Sequence, residues 1–107
     1  MEKPKLYVLQ NPDTLEIKYV GITMKSLQER LEKHLYDVKN RSYLSPKKVE
    51  WFESLFEQNK VPIISLISEF DTIDECKKAE IKYIKEYKSS EGVSLINRVS
   101  SLGITIL

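Results

Sequence analysis

The sequence predicts an α+β fold in which a small, mainly antiparallel sheet is covered by helices. Two segments near the N-terminus are rich in β-branched and aromatic residues and flank a turn-forming cluster, which is typical of a hairpin. Later segments carry apolar residues at helical spacing and begin with helix-capping signals. The predicted order is therefore strand, strand, helix, helix, strand, helix and tail.

The predicted hairpin comprises residues 5–10 and 16–22, joined by the Asn-Pro-Asp-Thr cluster at 11–14. Tyr7 in the first strand and Tyr19 in the second each alternate with apolar residues. Because strand side chains alternate between faces, both tyrosines are expected on the same side of the sheet. Taken alone, each is interpreted as an ordinary half-buried tyrosine of a sheet.

The first helix is predicted to start at Ser26, which forms a capping box with Glu29. His34 lies at the rim of its apolar face, and Arg30 is four residues earlier and so lies beside it. A structural histidine and a solvated arginine are the simpler interpretations of these two residues. The apolar face itself is made of Leu27, Leu31, Leu35 and Val38.

The second helix is predicted to begin with Ser45 as N-cap and Pro46 at the first helical position. A third strand is predicted over residues 61–67, and the tail over residues 93–107 is apolar enough to pack without a predicted form. The inward face of this second helix is expected to carry Val49, Phe52, Leu55 and Phe56.

The last helix is predicted from a second capping box, Thr72 to Glu75, to about Lys88. Glu80 falls within its apolar sector, where a carboxylate is costly unless it is paired or holds a metal. Three interpretations stay open: a buried ion pair, access to water past a thin helix, or a metal site. The sector is formed by Ile73, Cys76, Tyr83, Ile84 and Tyr87.

Length and composition predict one domain over residues 1–107, with 41% hydrophobic residues to build its core. No run of about 18 apolar residues predicts a membrane span, and no signal-like stretch opens the chain. Cys76 is the single cysteine, and it is expected to be a small core residue. A reducing, cytoplasmic location without a membrane partner is therefore expected.

The formal net charge of +1 and the pI of about 7.8 predict no general polyanion binding, since dedicated nucleic-acid-binding domains often exceed about 9. Contacts with nucleic acid would have to come from local basic patches. One candidate patch, a run of lysines on the last predicted helix, is most simply a solvated helix face. The patches are Lys25 with Arg30, Lys47 with Lys48, and the run Lys77, Lys78, Lys82, Lys85 and Lys88.

These residues together resemble the GIY-YIG nuclease family. Lys5-Leu6-Tyr7 stands where the family has Gly-Ile-Tyr, and Tyr19-Val20-Gly21 stands where it has Tyr-Ile-Gly. The segment from Gly21 to Arg30, followed by His34, resembles the arginine helix of the family with its R-x-x-x-H spacing. The resemblance departs from the family pattern at Lys5, which replaces a glycine and no catalytic group.

Two further positions match the family later in the chain. Glu80 matches its metal-binding glutamate, and Asn97 resembles the asparagine that often follows. The resemblance implies a three-stranded antiparallel sheet flanked by helices. It also implies that Glu80 ligates one divalent cation, Mg²⁺ or Mn²⁺, both of which suit oxygen ligands.

The resemblance assigns roles to the remaining positions as well. Arg30 would neutralise charge in the transition state, and Tyr7 would deprotonate or orient the attacking water, with His34 and Tyr19 shaping its hydrogen bonds. Asn97 would position a neighbour or the backbone. Substrate contact is expected from Lys25 and Gly21.

The function implied is a metal-dependent endonuclease or nickase acting on DNA, helped by a separate specificity subunit or domain. The alternative is a catalytically weak nucleic-acid-binding or assembly module that keeps the fold. A third interpretation is a subunit of a larger phage or mobile-element machine. The nuclease, unlike a binding module, needs Tyr7, Arg30, His34 and Glu80 together.

Overall fold

The computed structural model describes residues 3–40 and 46–88, together with the short strands at 98–99 and 105–106. Ser45, Asn97 and most of the predicted tail lie outside these residues. The principal elements are β1 (Lys5–Gln10), β2 (Ile17–Thr23), α1 (Leu27–Asn40), α2 (Pro46–Glu57), β3 (Ile63–Glu69) and α3 (Ile73–Lys88). Arg98–Val99 and Thr105–Ile106 form an antiparallel pair, β4 and β5.

Strands β1, β2 and β3 form one antiparallel sheet with β1 in the centre. The predicted sheet flanked by helices is thus confirmed. β3 starts two residues later than predicted, because its ends are set by pairing with β1: Gln10 lies opposite Ile63 and Lys5 opposite Glu69. Pro62 stands just before the strand, where its missing amide interrupts no ladder.

The core has two layers, one on each face of the sheet. Side chains of β1 alternate between them, so that Leu6 and Val8 pack with Cys76 and Ile84 of α3. Cys76 is buried there, and burial raises the pKa of its thiol, as expected for a small core residue. On the opposite face, α1 and α2 cover Tyr7, Leu9 and Tyr19 with Val38 and Phe52.

In both predicted capping boxes the hydroxyl caps the helix as expected, and these caps fix where α1 and α3 start. The Ser26 hydroxyl accepts a hydrogen bond from the Glu29 amide at 3.2 Å, and Thr72 does the same for the Glu75 amide at 3.2 Å. Such caps contribute about 1 kcal/mol each. Among the described residues, no helix is both long and apolar enough to cross a membrane.

Candidate active site

The two strand tyrosines meet over a glycine on the face covered by α1 and α2. Both side chains are fully buried, which corrects the half-buried interpretation, and their ring centroids lie 6.2 Å apart. Gly21 pairs with Tyr7 across the β1–β2 ladder. A Cβ on Gly21 would lie 2.6 Å from Tyr7 Oη and 2.8 Å from Tyr19 Cε1, so only glycine leaves room for both rings.

The Tyr7 hydroxyl connects the sheet to α1. It lies 2.6 Å from His34 Nε2 and accepts a hydrogen bond from Arg30 Nε at 3.0 Å. Arg30 can only donate, so the single phenolic proton of Tyr7 is free to point toward His34. We assign His34 Nε2 as the acceptor, with the imidazole proton on Nδ1.

His34 is a buried, uncharged imidazole rather than a residue at the rim of α1. Only 1% of it is exposed, and its ring meets Tyr19 edge to face with centroids 5.2 Å apart. Burial, together with the positive charges of Lys48 and Arg30, lowers the pKa of His34 to about 2. The imidazole therefore positions the Tyr7 hydroxyl and does not store a proton.

Arg30 is half-buried and is not an ordinary solvated arginine. It precedes His34 by one turn of α1, so both side chains reach the same oxygen of Tyr7 from adjacent turns. Burial disfavours its charge, but the interactions with Tyr7 and Tyr19 together outweigh burial and raise the pKa of Arg30. A fixed positive charge is thus held against the phenol.

Both tyrosines are neutral phenols in this arrangement. Burial raises the pKa of Tyr7, while Arg30 opposes that shift by charge and by hydrogen bonding. Burial raises the pKa of Tyr19 well above its usual value, and Tyr7 adds to the effect. The Tyr19 hydroxyl is buried without a hydrogen-bond partner among the residues that the structure describes.

Glu80 brings a carboxylate to this group from α3. It is only 7% exposed, so the interpretation in which it reaches bulk water is wrong. Its negative charge contributes to raising the pKa of Tyr7, Tyr19 and Cys76, so the carboxylate lies near the tyrosine pair. The site therefore combines a cation, two phenols, an imidazole and a carboxylate.

The family comparison adds to this geometry. A family model, the GIY-YIG catalytic domain, matches residues 3–93 of the 107-residue chain. The chain belongs to the GIY-YIG family. No match was found among curated proteins or among solved structures. GIY-YIG domains are generally endonucleases that use a divalent metal, which places this chain in a nuclease-type family. The match includes α3 with Glu80 and ends before Asn97.

The donors in this GIY-YIG domain fit a cation that keeps much of its own hydration. Within residues 3–40 and 46–88, no group of three or more His, Cys, Asp or Glu side chains could hold a metal. Mg²⁺ is commonly bound by one or two carboxylates, with water and substrate phosphate supplying the other oxygens. The buried Glu80 carboxylate suits that mode of binding.

Lys48 is the member of the site that the sequence interpretation missed. It was placed with Lys47 in a basic patch, but Lys48 is 4% exposed and its Nζ lies 4.8 Å from the Tyr19 ring centroid. Burial and the positive charge of Arg30 together lower the pKa of Lys48 to about 8, while the negative charge of Asp37 opposes the shift. Its spacing in the sequence could have indicated this burial, because Lys48 lies one turn before Phe52 on the buried face of α2.

The other sequence candidates lie apart from this cluster. Lys25 is exposed between β2 and α1, where its amide donates to Thr23 Oγ1 at 3.0 Å. Asn97 lies outside the described residues. The clustered side chains come from five different elements: Tyr7 from β1, Tyr19 from β2, Arg30 and His34 from α1, Lys48 from α2 and Glu80 from α3.

Proposed function

We propose that this chain is a metal-dependent endonuclease or nickase that hydrolyses DNA phosphodiester bonds, with residues 1–107 acting as one domain. The observation that supports this best is the Tyr7 hydroxyl, held by Arg30 Nε at 3.0 Å and His34 Nε2 at 2.6 Å with the Glu80 charge nearby. Such a fixed oxygen is suited to orienting a water molecule for in-line attack on phosphorus.

The surrounding charges suit the same reaction. Arg30 provides positive charge where a phosphorane-like transition state gathers negative charge. When one Mg²⁺ or Mn²⁺ ion is bound by Glu80, it supplies further positive charge to the scissile phosphate and the leaving 3′ oxygen. A cation held by Glu80 would also offset the upward effect of that carboxylate on the pKa of Tyr7, and the phenol would then lose its proton more easily.

Two observations favour the rival, a binding or assembly module. Net charge is only +1, and Tyr7 is fully buried, so neither strong DNA binding nor an open site is evident in the free protein. Both also agree with a nuclease whose DNA specificity comes from a separate subunit or domain. The cluster around Tyr7 favours the enzyme, since a binding module gains nothing from a buried carboxylate beside buried phenols.

The test is nicking of supercoiled plasmid with Mg²⁺, Mn²⁺ or EDTA, repeated on branched DNA and RNA. The wild type should nick DNA with either metal and not with EDTA. Glu80→Gln should lose at least about a hundredfold in rate, as expected for removal of a principal electrostatic group. Urea unfolding of Glu80→Gln checks that the lost rate does not come from lost folding.

The matched control is Glu86→Gln, an exposed carboxylate on the same helix, which should nick at the wild-type rate. Undiminished nicking by Glu80→Gln would contradict the metal assignment. Absence of wild-type cleavage on all three substrates with both metals would instead favour the binding module.

A further inference from the structure

The sheet has two edges, and the fold covers them differently. Every residue of β2, at one edge, is buried or half-buried, because α3 packs on one of its faces and α1 with α2 on the other. Five of the seven residues of β3, at the other edge, are exposed. The fold therefore closes one edge of its sheet and leaves the other open.

Exposed apolar side chains are concentrated at this open edge. Among the described residues, five of the eight exposed large hydrophobic side chains lie between positions 61 and 73, and each is between 38% and 46% exposed. Single exposed apolar residues are normal, but a group of them marks an interaction surface. The five are Val61, Ile63, Leu66, Ile67 and Ile73.

The form of this edge fits an added strand. Within the part of the chain that the structure describes, β3 pairs only with β1, so its outer backbone groups can accept another strand. Leu66 lies opposite Tyr7 and Ile63 opposite Gln10, so these two exposed side chains project from opposite faces of the sheet. A docked helix would cover one of these faces, whereas a strand paired with β3 would flank both.

The charges at the two ends of β3 indicate what that strand is. The only charged residue of β3 is Glu69 at its C-terminal end, and Lys60 precedes its N-terminal end. If two copies of β3 pair antiparallel, Glu69 of each copy lies near the Lys60 end of the other. A parallel arrangement would instead bring the two Glu69 carboxylates together, which is destabilising.

We propose that β3 is the docking surface for β3 of a second copy of this chain, paired antiparallel about a two-fold axis at Leu66, the midpoint of the strand. The two sheets would join into one of six strands. A two-fold interface uses the same surface on both copies, so no other partner is needed. The dimer does not depend on the proposed function. Under that function, two symmetry-related sites would suit cleavage of both strands of a duplex.

The expected dimer is weak. Ile67 is an extra residue of β3 between the partners of Leu6 and Tyr7, and such a bulge twists an edge strand and limits its pairing. A single strand pair also belongs with the small interfaces, below about 1,200 Å². We therefore expect a dissociation constant on the order of 10–100 µM.

Sedimentation velocity of the full chain, from about 1 to about 300 µM, covers this range. The variants are Leu66→Lys and Leu66→Glu, each of which places two like charges opposite each other at the axis. The matched control is Met24→Lys. Met24 is 44% exposed, against 45% for Leu66, but it follows β2 at the opposite edge of the sheet.

Wild type and Met24→Lys should dimerise equally, and each Leu66 variant should raise the dissociation constant at least about tenfold. An equimolar mixture of Leu66→Lys and Leu66→Glu should dimerise again, because opposite charges then meet at the axis. A variant that is merely misfolded would not be rescued by mixing. Hydrogen exchange of the wild type should show protection of the β3 amides that rises with protein concentration.

Three results would overturn the proposal: a wild type that stays monomeric, a Leu66→Lys variant that dimerises like wild type, or no dimer in the mixture. Protection of β3 that is independent of concentration would also overturn it, since a segment of the same chain would then cover the edge. If urea unfolding shows that the Leu66 variants do not fold, Ile67→Lys replaces them in the dimer assay, and undiminished dimerisation of that variant contradicts the proposal.

Discussion

Tyr7 Oη occupies the space that any side chain at position 21 would need. The two residues lie opposite each other in the β1–β2 ladder, and a Cβ at Gly21 would approach Tyr7 Oη to 2.6 Å. In this chain the first motif of the family therefore depends on the second, because the Tyr7 hydroxyl fits only where position 21 has no side chain. The tyrosine of the first motif can reach Arg30 and His34 because the second motif ends in glycine.

Gly21→Ala should therefore impair cleavage more than folding. Displacing the Tyr7 hydroxyl by a few tenths of an ångström breaks its contacts, and a misplaced reacting group can lose about a hundredfold in rate. Overpacking should cost about 1–3 kcal/mol of unfolding free energy. Single-turnover nicking and urea unfolding measure the two effects. Ile22→Val, the next residue of the strand, is the control, and equal rates for both variants would contradict the prediction.

Arg30→Ala and His34→Ala should lower the same step, and their effects should not add. Both side chains contact Tyr7 Oη, so loss of either one disables the shared oxygen. The double variant is expected to be little slower than Arg30→Ala at saturating protein. Single-turnover rates for the wild type, the two single variants and the double variant form a double-mutant cycle. Multiplicative losses would show that the two residues act independently, and wild-type rates for both single variants would remove them from the reaction.

The burial of His34 predicts a specific loss of stability in acid. Its pKa falls from 6.5 to about 2 on folding, so below pH 6.5 the unfolded chain binds a proton that the folded chain does not. This contribution is complete above pH 6.5 and is lost as pH falls toward 2. Between pH 7 and 5, it amounts to about 2 kcal/mol.

Urea unfolding of wild type and His34→Gln at pH 7, 6 and 5 measures this contribution. The wild type should lose about 2 kcal/mol more than the variant across that range. Lys48 does not interfere, because its pKa of about 8 lies above the range. Parallel losses in the two proteins would mean that His34 titrates normally in the folded state.

DNA binding by the isolated domain should be weak and dependent on salt. With a net charge of +1, only local basic groups can release counterions, and a dissociation constant on the order of 10⁻⁴–10⁻⁶ M at physiological salt is expected. Lys25→Gln should lower the slope of log affinity against log salt by about 0.9, as for loss of one phosphate contact. Exposed Lys82 on α3 provides the control, Lys82→Gln. Tight, sequence-selective binding would contradict the need for a separate specificity subunit.

The sequence predicted the secondary structure well where a local signal fixed it. Ser26 and Thr72 cap the helices that they were predicted to cap, and Pro46 begins α2. The third strand was displaced by two residues because its ends depend on β1, which is distant in the sequence. A strand takes its limits from its partner, and local composition does not contain that information.

The site was predicted less completely, because burial is a property of the assembled fold. The apolar periodicity of α1 alone predicted a surface position for Arg30 and a rim position for His34. In the structure, both side chains turn toward the sheet and contact Tyr7 Oη. Lys48 was grouped with Lys47 by charge, although its spacing to Phe52 marked the buried face of α2. Its charge favoured an exposed position, whereas its helical spacing favoured a buried one, and the buried position is the one found in the structure.

The spread of the site over five elements also has a consequence for when the protein can act. The carboxylate of Glu80 lies 73 positions after Tyr7, so ribosomal synthesis completes β1, β2, α1 and α2 before this group exists. An unfinished chain thus lacks the carboxylate, and a chain in which α3 has detached from the sheet lacks it at the tyrosines. Under the proposed function, nascent and damaged copies would leave DNA intact, because cleavage would require the completely folded chain.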